Sequence, residues 1–368
     1  MYTDNCLFAS EEEKKKIDGD VNAICEDIHN CFKGEGLNVA LFLSGSLARR
    51  EPTHQVIQGR TELASDLDFV LVYDERICNY ESVCEIVKRI DKKYEKYECS
   101  FVILETKKLK NTNSFFKRDL SLDNYGGIFD DIGIDKSLWG ECKLSNHNAF
   151  EAIVTQACCY LLNPDLSKDK SENKFFKSAN YHKVKLICEC FRGYLFSLCD
   201  GIVGYNEALK NIHNIPETYR PAVKKALKAR ECCDYGLVKD INVLDIVDMS
   251  CKKILGDEYC EHMLSELRKG LDGIKSFQYT AILLFMLEKG SVTVDDLLES
   301  IRNGNMKKYY DTKTLETALE AYKVDKTIDN KENLYVVFRL VRNRFVAYLH
   351  GRNTGEEFFT DVVINENI

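Results

Sequence analysis

The chain has 368 residues, 45% of them hydrophobic and 30% charged, with a net charge of −8 and a pI near 5.6. That length suggests two domains with sizeable cores, and the composition excludes an intrinsically disordered chain. The acidic balance argues against general nucleic-acid binding, which depends on Lys and Arg neutralising phosphates, and leaves room only for a local basic groove at one RNA end.

No stretch approaches the ~20 apolar residues of a membrane span. The N-terminus (MYTDNCLFASEEEKKK) lacks the charged-then-apolar layout of a signal peptide, so a cytoplasmic protein without membrane contact is expected. None of the 16 cysteines forms a Cys-x-x-Cys pair, and Cys158, Cys159, Cys188, Cys190 and Cys199 fall inside apolar helical runs. In a reducing compartment they read as small core residues rather than as disulfides or zinc ligands.

In chain order, Ser10-Glu11-Glu12-Glu13 is a capping-box start. Ile17, Val21, Ile24, Ile28 and Phe32 then recur at helical spacing until Gly34-Glu35-Gly36 ends the helix. Asn38 to Leu43 (NVALFL) is a short apolar run that suits a buried strand. Gly45 and Ser46 turn the chain into a helical stretch whose first backbone N–H groups, with the Ser46 hydroxyl, form a cradle for a phosphate.

Leu67 to Tyr73 reads as a second strand, opened by Asp66-Leu67-Asp68. Two positions apart in an extended chain, the two carboxylates share a face. They repel each other unless a cation sits between them, and Mg²⁺, with Mn²⁺ as the alternative, is the oxygen-preferring ion that bridges carboxylates to phosphates. A helix from Tyr80 to Tyr97 leads to a third strand, Glu98 to Glu105. Glu98 is the expected third acid, as metal ligand or as the base for an acceptor hydroxyl, with Glu105 as the alternative. Asp74 reads as a strand-end residue facing solvent.

Residues 106–145 break any long periodicity and carry Trp139, the single tryptophan, read as a packing residue at a domain junction. From 146 the chain turns helical, with candidates at 147–162, 178–200, 218–233, 243–269, 275–289 and 331–350. The clusters Lys107-Lys108-Lys110, Lys224-Lys225-Lys228-Arg230 and Lys307-Lys308 read as solvated faces. The expected division is therefore an α+β domain over 1–145 followed by an all-helical domain over 146–368, with a ligand cleft between them.

The order Gly45-Ser46, then Asp66-x-Asp68, then a separate acid resembles the DNA polymerase beta-like nucleotidyltransferase superfamily. Gly45-Ser46-Leu47-Ala48-Arg49-Arg50-Glu51 is similar to the Gly-Ser-x-Ala-Arg-Gly-Glu form of minimal and antibiotic-modifying members, and Glu98 within Glu-Cys-Ser-Phe-Val-Ile resembles their third acid. The resemblance covers roughly residues 35–110 and implies a mixed sheet with flanking helices, ATP or another NTP as donor, Mg²⁺, and loss of pyrophosphate. It implies Asp66, Asp68 and Glu98 as catalytic and metal-binding residues and Gly45, Ser46 and Arg49 as nucleotide-binding ones. Among Lys183, Lys185 and Arg192 on the 178–200 helix, Lys185 is the candidate for the triphosphate. The acceptor is expected to be a hydroxyl on a small molecule. The alternatives are a protein, tRNA or second nucleotide as acceptor, or a catalytically silent nucleotide sensor. Two departures mark this chain: nineteen residues, 47 to 65, separate Ser46 from Asp66, a longer spacing than usual with 54–63 as an inserted loop or hairpin, and Arg50 stands where the pattern has glycine.

Overall fold

In a computed structural model of the chain, helix α1 (Glu11–Gly34) starts at the expected capping box. The Glu13 amide donates to Ser10 Oγ at 3.3 Å, and the Ser10 amide donates to Glu13 Oε2 at 2.7 Å. The structure describes residues 1–97, 99–111, 127–134, 145–161, 179–198, 204–271, 274–303, 312–327, 330 and 334. Glu98, Trp139, Lys307-Lys308 and the 331–350 helix candidate, apart from the single position 334, lie outside the described residues.

Strands β1 (Val39–Leu43), β4 (Leu67–Tyr73), β5 (Cys99–Glu105) and β6 (Gly127–Asp130) form a mixed sheet in the order β5-β4-β1-β6. β4 runs antiparallel to β1 and parallel to β5, and the parallel pair is linked by helix α3 (Tyr80–Lys93). β1 is buried at all five positions, so it reads as a continuous apolar run rather than an alternating one. Val39, Leu41, Leu43, Phe69 and Leu71 pack with Ile17, Ile24, Ile28 and Phe32 of α1, and Val83, Ile86 and Ile90 of α3 complete that layer. Ala40, Phe42, Val70 and Val72 face the other way and meet Leu104 and Leu109. Each fully buried side chain of this size contributes about 1.5–3 kcal/mol relative to exposure.

The segment 54–63 is a two-stranded hairpin, β2 (His54–Ile57) and β3 (Arg60–Leu63), separate from the main sheet. Its connection, Gln58 and Gly59, has φ of 50° and 75°, the left-handed pair that a two-residue hairpin turn needs. β6 was not expected from sequence. Its four residues are too few to register a period, and Tyr125-Gly126-Gly127 reads there as a break.

The C-terminal part is helical. Helix α4 (Asn146–Leu161) and helix α5 (Ala179–Phe196) lie together, and α5 also packs on α6 (Arg220–Glu231) and α7 (Val243–Leu255). The expected helix over 243–269 is two helices, α7 and α8 (Tyr259–Arg268), because Gly256 adopts φ 100° and ends the first. Helices α9 (Ile274–Lys289), α10 (Val294–Asn303) and α11 (Thr312–Val324) follow. Cys188 and Cys190 are buried in this core, and burial pushes the Cys188 thiol up to about 12. Cys6, Cys25, Cys31, Cys78, Cys84, Cys99, Cys188, Cys190, Cys232, Cys233, Cys251 and Cys260 are free thiols. Among the described residues no helix is long and apolar enough to cross a membrane. The coarse expectation holds: a small mixed sheet with flanking helices, then a helical region.

Candidate functional site

β1 ends at Leu43, and the Ser44 amide then donates to the Asp68 carbonyl at 2.8 Å, locking the turn to the start of β4. Gly45 follows at φ 61° and opens a one-turn helix, α2 (Gly45–Ala48). Two constraints demand glycine here. The φ lies in the left-handed region, and a β-carbon would collide with Asp68 Oδ2 and stand 3.2 Å from Asp68 Cγ. Asp68 thus lies directly against the Gly45 turn. Gly45→Ala is expected to destabilise the protein by about 1–2 kcal/mol through backbone strain and to displace the Asp68 carboxylate. Thermal unfolding and ATP titration check the two effects separately.

Three hydroxyls close the turn. Ser46 Oγ donates to Ser65 Oγ at 3.1 Å, Thr53 Oγ1 lies 3.1 Å from the same oxygen, and the Thr53 amide donates to it at 2.6 Å. Arg50 has φ 61°, a left-handed conformation that favours glycine. The chain holds arginine there through the Arg50 amide on the Leu47 carbonyl at 3.1 Å and an ion pair from its guanidinium to Asp4.

Gly45, Ser46, Arg49, Asp66 and Asp68 line one cleft, and Tyr181, Lys185, Tyr205, Arg230 and Tyr235 from the helical region face them across it. The structure therefore brings together six of the seven expected site residues, and the seventh, Glu98, lies outside the described residues. Glu105, the alternative third acid, stands apart from the two aspartates. It pairs with Tyr73 at the far end of β4, five residues or about 17 Å along the strand from Asp68. Its carboxylate is taken by Lys107 at 2.7 Å, which holds it below the usual carboxylate range. Asp74 corrects an expectation. It is 6% exposed rather than solvent-facing, and hydrogen bonds from Arg76 lower its pKa to about 2.

Of the three cations considered on α5, only Lys185 reaches the cleft, with its ammonium 4.8 Å from the Tyr181 ring centre. Lys183 is buried and donates to the Lys239 carbonyl at 2.9 Å, and Arg192 is buried against Glu189 at 2.6 Å. Sequence reasoning missed Arg230 by grouping it with a solvated cluster. Lys224, Lys225 and Lys228 are exposed, but Arg230 shares the buried stripe of Val223, Ala226 and Leu227. Its place three residues after Leu227 was the available signal. Tyr181, Tyr205 and Tyr235 had no sequence signal, since aromatic residues on helices and loops are ordinarily core.

Among the described residues no group of three His, Cys, Asp or Glu side chains is placed to hold a metal ion. Asp66 and Asp68, which line the same cleft as Gly45 and Ser46, are a hard-oxygen pair, a donor set that suits Mg²⁺.

The site is bolted to the helical region by two glutamates. Glu51, fully buried, accepts from Arg49 Nε at 3.1 Å, the Tyr205 amide at 3.0 Å and the Asn206 amide at 2.8 Å. Glu231, also fully buried, accepts from the amides of Leu7, Phe8 and Ala9 and from Asn206 Nδ2. A second cleft adjoins the first, sharing Asp66, Tyr181 and Tyr235, with the β2–β3 hairpin and Tyr97 as its outer walls. No family model, curated protein or solved structure matches the chain.

Proposed function

We propose that this chain is a nucleotidyltransferase of the DNA polymerase beta-like kind, moving a nucleoside monophosphate, AMP from ATP in the first instance, to a hydroxyl acceptor with release of pyrophosphate. One observation carries the reading: the Asp68 carboxylate packed against the Gly45 phosphate turn, in a cleft whose far wall presents Lys185 and Arg230. Anion donors, a carboxylate pair and cations converge on one space, as transfer of a charged phosphoryl group requires.

In this reading Gly45 and Ser46 hold the phosphates through backbone N–H groups and the Ser46 hydroxyl. Arg49, braced by Glu51, and Lys185 orient the triphosphate. Asp66 and Asp68 would hold Mg²⁺, which when bound supplies charge neutralisation at the transferring and leaving oxygens. In this reading the acceptor enters from the neighbouring cleft, which Tyr97, Tyr181 and Tyr235 line. That cleft carries Glu62 and Asp66 against Lys96, whose ammonium is bonded to Glu62 at 2.8 Å. The balance favours a neutral or cationic small acceptor over a phosphate backbone.

Incubating the protein with each labelled NTP and Mg²⁺, alone and with candidate acceptors, tests the proposal. NMP-modified acceptor with stoichiometric pyrophosphate is the expected product. Self-labelling, tailed RNA or joined nucleotides would reassign the acceptor, and nucleotide binding without product in every combination would make the protein a sensor.

A further inference from the structure

Three arginines surround the ring of Tyr205. The guanidinium carbons of Arg230, Arg192 and Arg49 lie 4.8, 4.9 and 5.3 Å from its centre. Two of them have carboxylate partners: Glu51 accepts from Arg49, and Glu189 pairs with Arg192 and also accepts from the Tyr205 hydroxyl. Arg230 differs. It is 5% exposed and its Nη1 is buried with no hydrogen-bond partner, while among the described residues no carboxylate lies within ion-pair distance of it. The adjacent Glu231 is committed to the amides of Leu7, Phe8 and Ala9. A buried guanidinium held on one aromatic ring, next to two other cations, is a costly arrangement without an anionic partner. It becomes favourable when an anion enters the cleft that Arg230 lines.

We propose that Arg230, held on Tyr205, is the binding residue for the terminal phosphates of a nucleoside triphosphate, and that this hub gives the protein affinity for inorganic polyphosphate itself. The proposal rests on the nucleotidyl-transfer reading for its biological sense, and its ligand chemistry, a polyphosphate chain, is read from the arginines. Asp66, Asp68, Tyr205 and Arg230 line the same cleft, and in the transfer reading the two aspartates serve the α-phosphate. During transfer the acceptor oxygen bonds to the α-phosphorus and the bond from that phosphorus to the bridging oxygen breaks. The acceptor proton leaves to solvent or a base, and negative charge grows on departing pyrophosphate. Arg230 would meet that charge. Tyr205 is a positioning residue, and Glu189 fixes its hydroxyl.

Calorimetric titration of the full chain with inorganic tripolyphosphate, ATP and AMP tests this, using wild type, Arg230→Gln and Arg230→Lys. Wild type should bind tripolyphosphate and prefer ATP to AMP. Arg230→Gln should weaken tripolyphosphate and ATP about 10- to 100-fold and leave AMP unchanged. Ligand-free, it should melt no lower than wild type, since it removes a buried charge without a partner. Arg230→Lys should recover part of the preference, and it decides by the same ratio if the glutamine variant does not fold. An unchanged ATP-to-AMP preference in a folded variant overturns the proposal even if transfer activity is intact. Conversely, Arg230-dependent tripolyphosphate binding in a protein that transfers no nucleotide upholds the polyphosphate site and overturns the transferase reading.

Discussion

Exchanging Asp68 for asparagine should cut Mg²⁺-dependent pyrophosphate release about 1,000-fold, corresponding to ~4 kcal/mol of lost transition-state stabilisation. The amide keeps the shape of the carboxylate against Gly45, so the loss comes from charge rather than from collapse of the turn. Asp66→Ala with Asp68→Ala should leave a folded protein with no detectable release. Both variants should remain folded without nucleotide, since neither change removes a core side chain. Pyrophosphate release followed under saturating ATP and Mg²⁺, with a parallel thermal scan, separates these effects. Undiminished turnover in the double variant would remove the transferase assignment.

Replacing Glu51 with alanine should cost about 3–5 kcal/mol of stability, more than most single changes outside the core. The carboxylate is fully buried and accepts from Arg49 Nε and the Tyr205 and Asn206 amides. Its loss leaves two buried N–H groups and a guanidinium facing a void, and water has poor access to replace it. Gly204 already passes so close that a β-carbon there would stand 3.0 Å from Glu51 Oε2. Urea unfolding measures the loss, and Glu51→Gln should recover part of it, since an amide oxygen still accepts from one of the amides. The functional consequence is release of Arg49 and Tyr205 together, so ATP affinity should fall with stability. A variant as stable as wild type would show that the two glutamate bolts do not couple the phosphate turn to the helical region.

Much of the sheet was legible. β4 matches its expected span at both ends, and α1 begins at its capping box, because each carries a local signal: an apolar run, an interaction three residues away, a terminating glycine. The turn at Gly45 was legible because glycine after an apolar run marks it, and the close approach of Asp68 requires that glycine. The 54–63 insertion read correctly as a hairpin or loop, but its place as a wall of the second cleft did not follow from its residues. The break at Gly256 and the short strand β6 were missed for opposite reasons. One helical period ran across a glycine that another conformation used, and the other element was too short to have a period.

The sequence by itself determined the make-up of one wall: Gly45, Ser46, Asp66 and Asp68 lie at the ends of adjacent strands and in a tight turn, so local spacing suffices to bring them together. Only the tertiary structure decided the other wall. Lys185, Tyr205 and Arg230 come from separate segments of the helical region, and contact between residues far apart in the chain leaves no periodic trace. It also decided which charges matter. Lys183, Arg192 and the lysines of α6 look equivalent to Lys185 and Arg230 in a string of letters, and only burial and partners distinguish a cation spent on a carbonyl or carboxylate from one that lines the cleft.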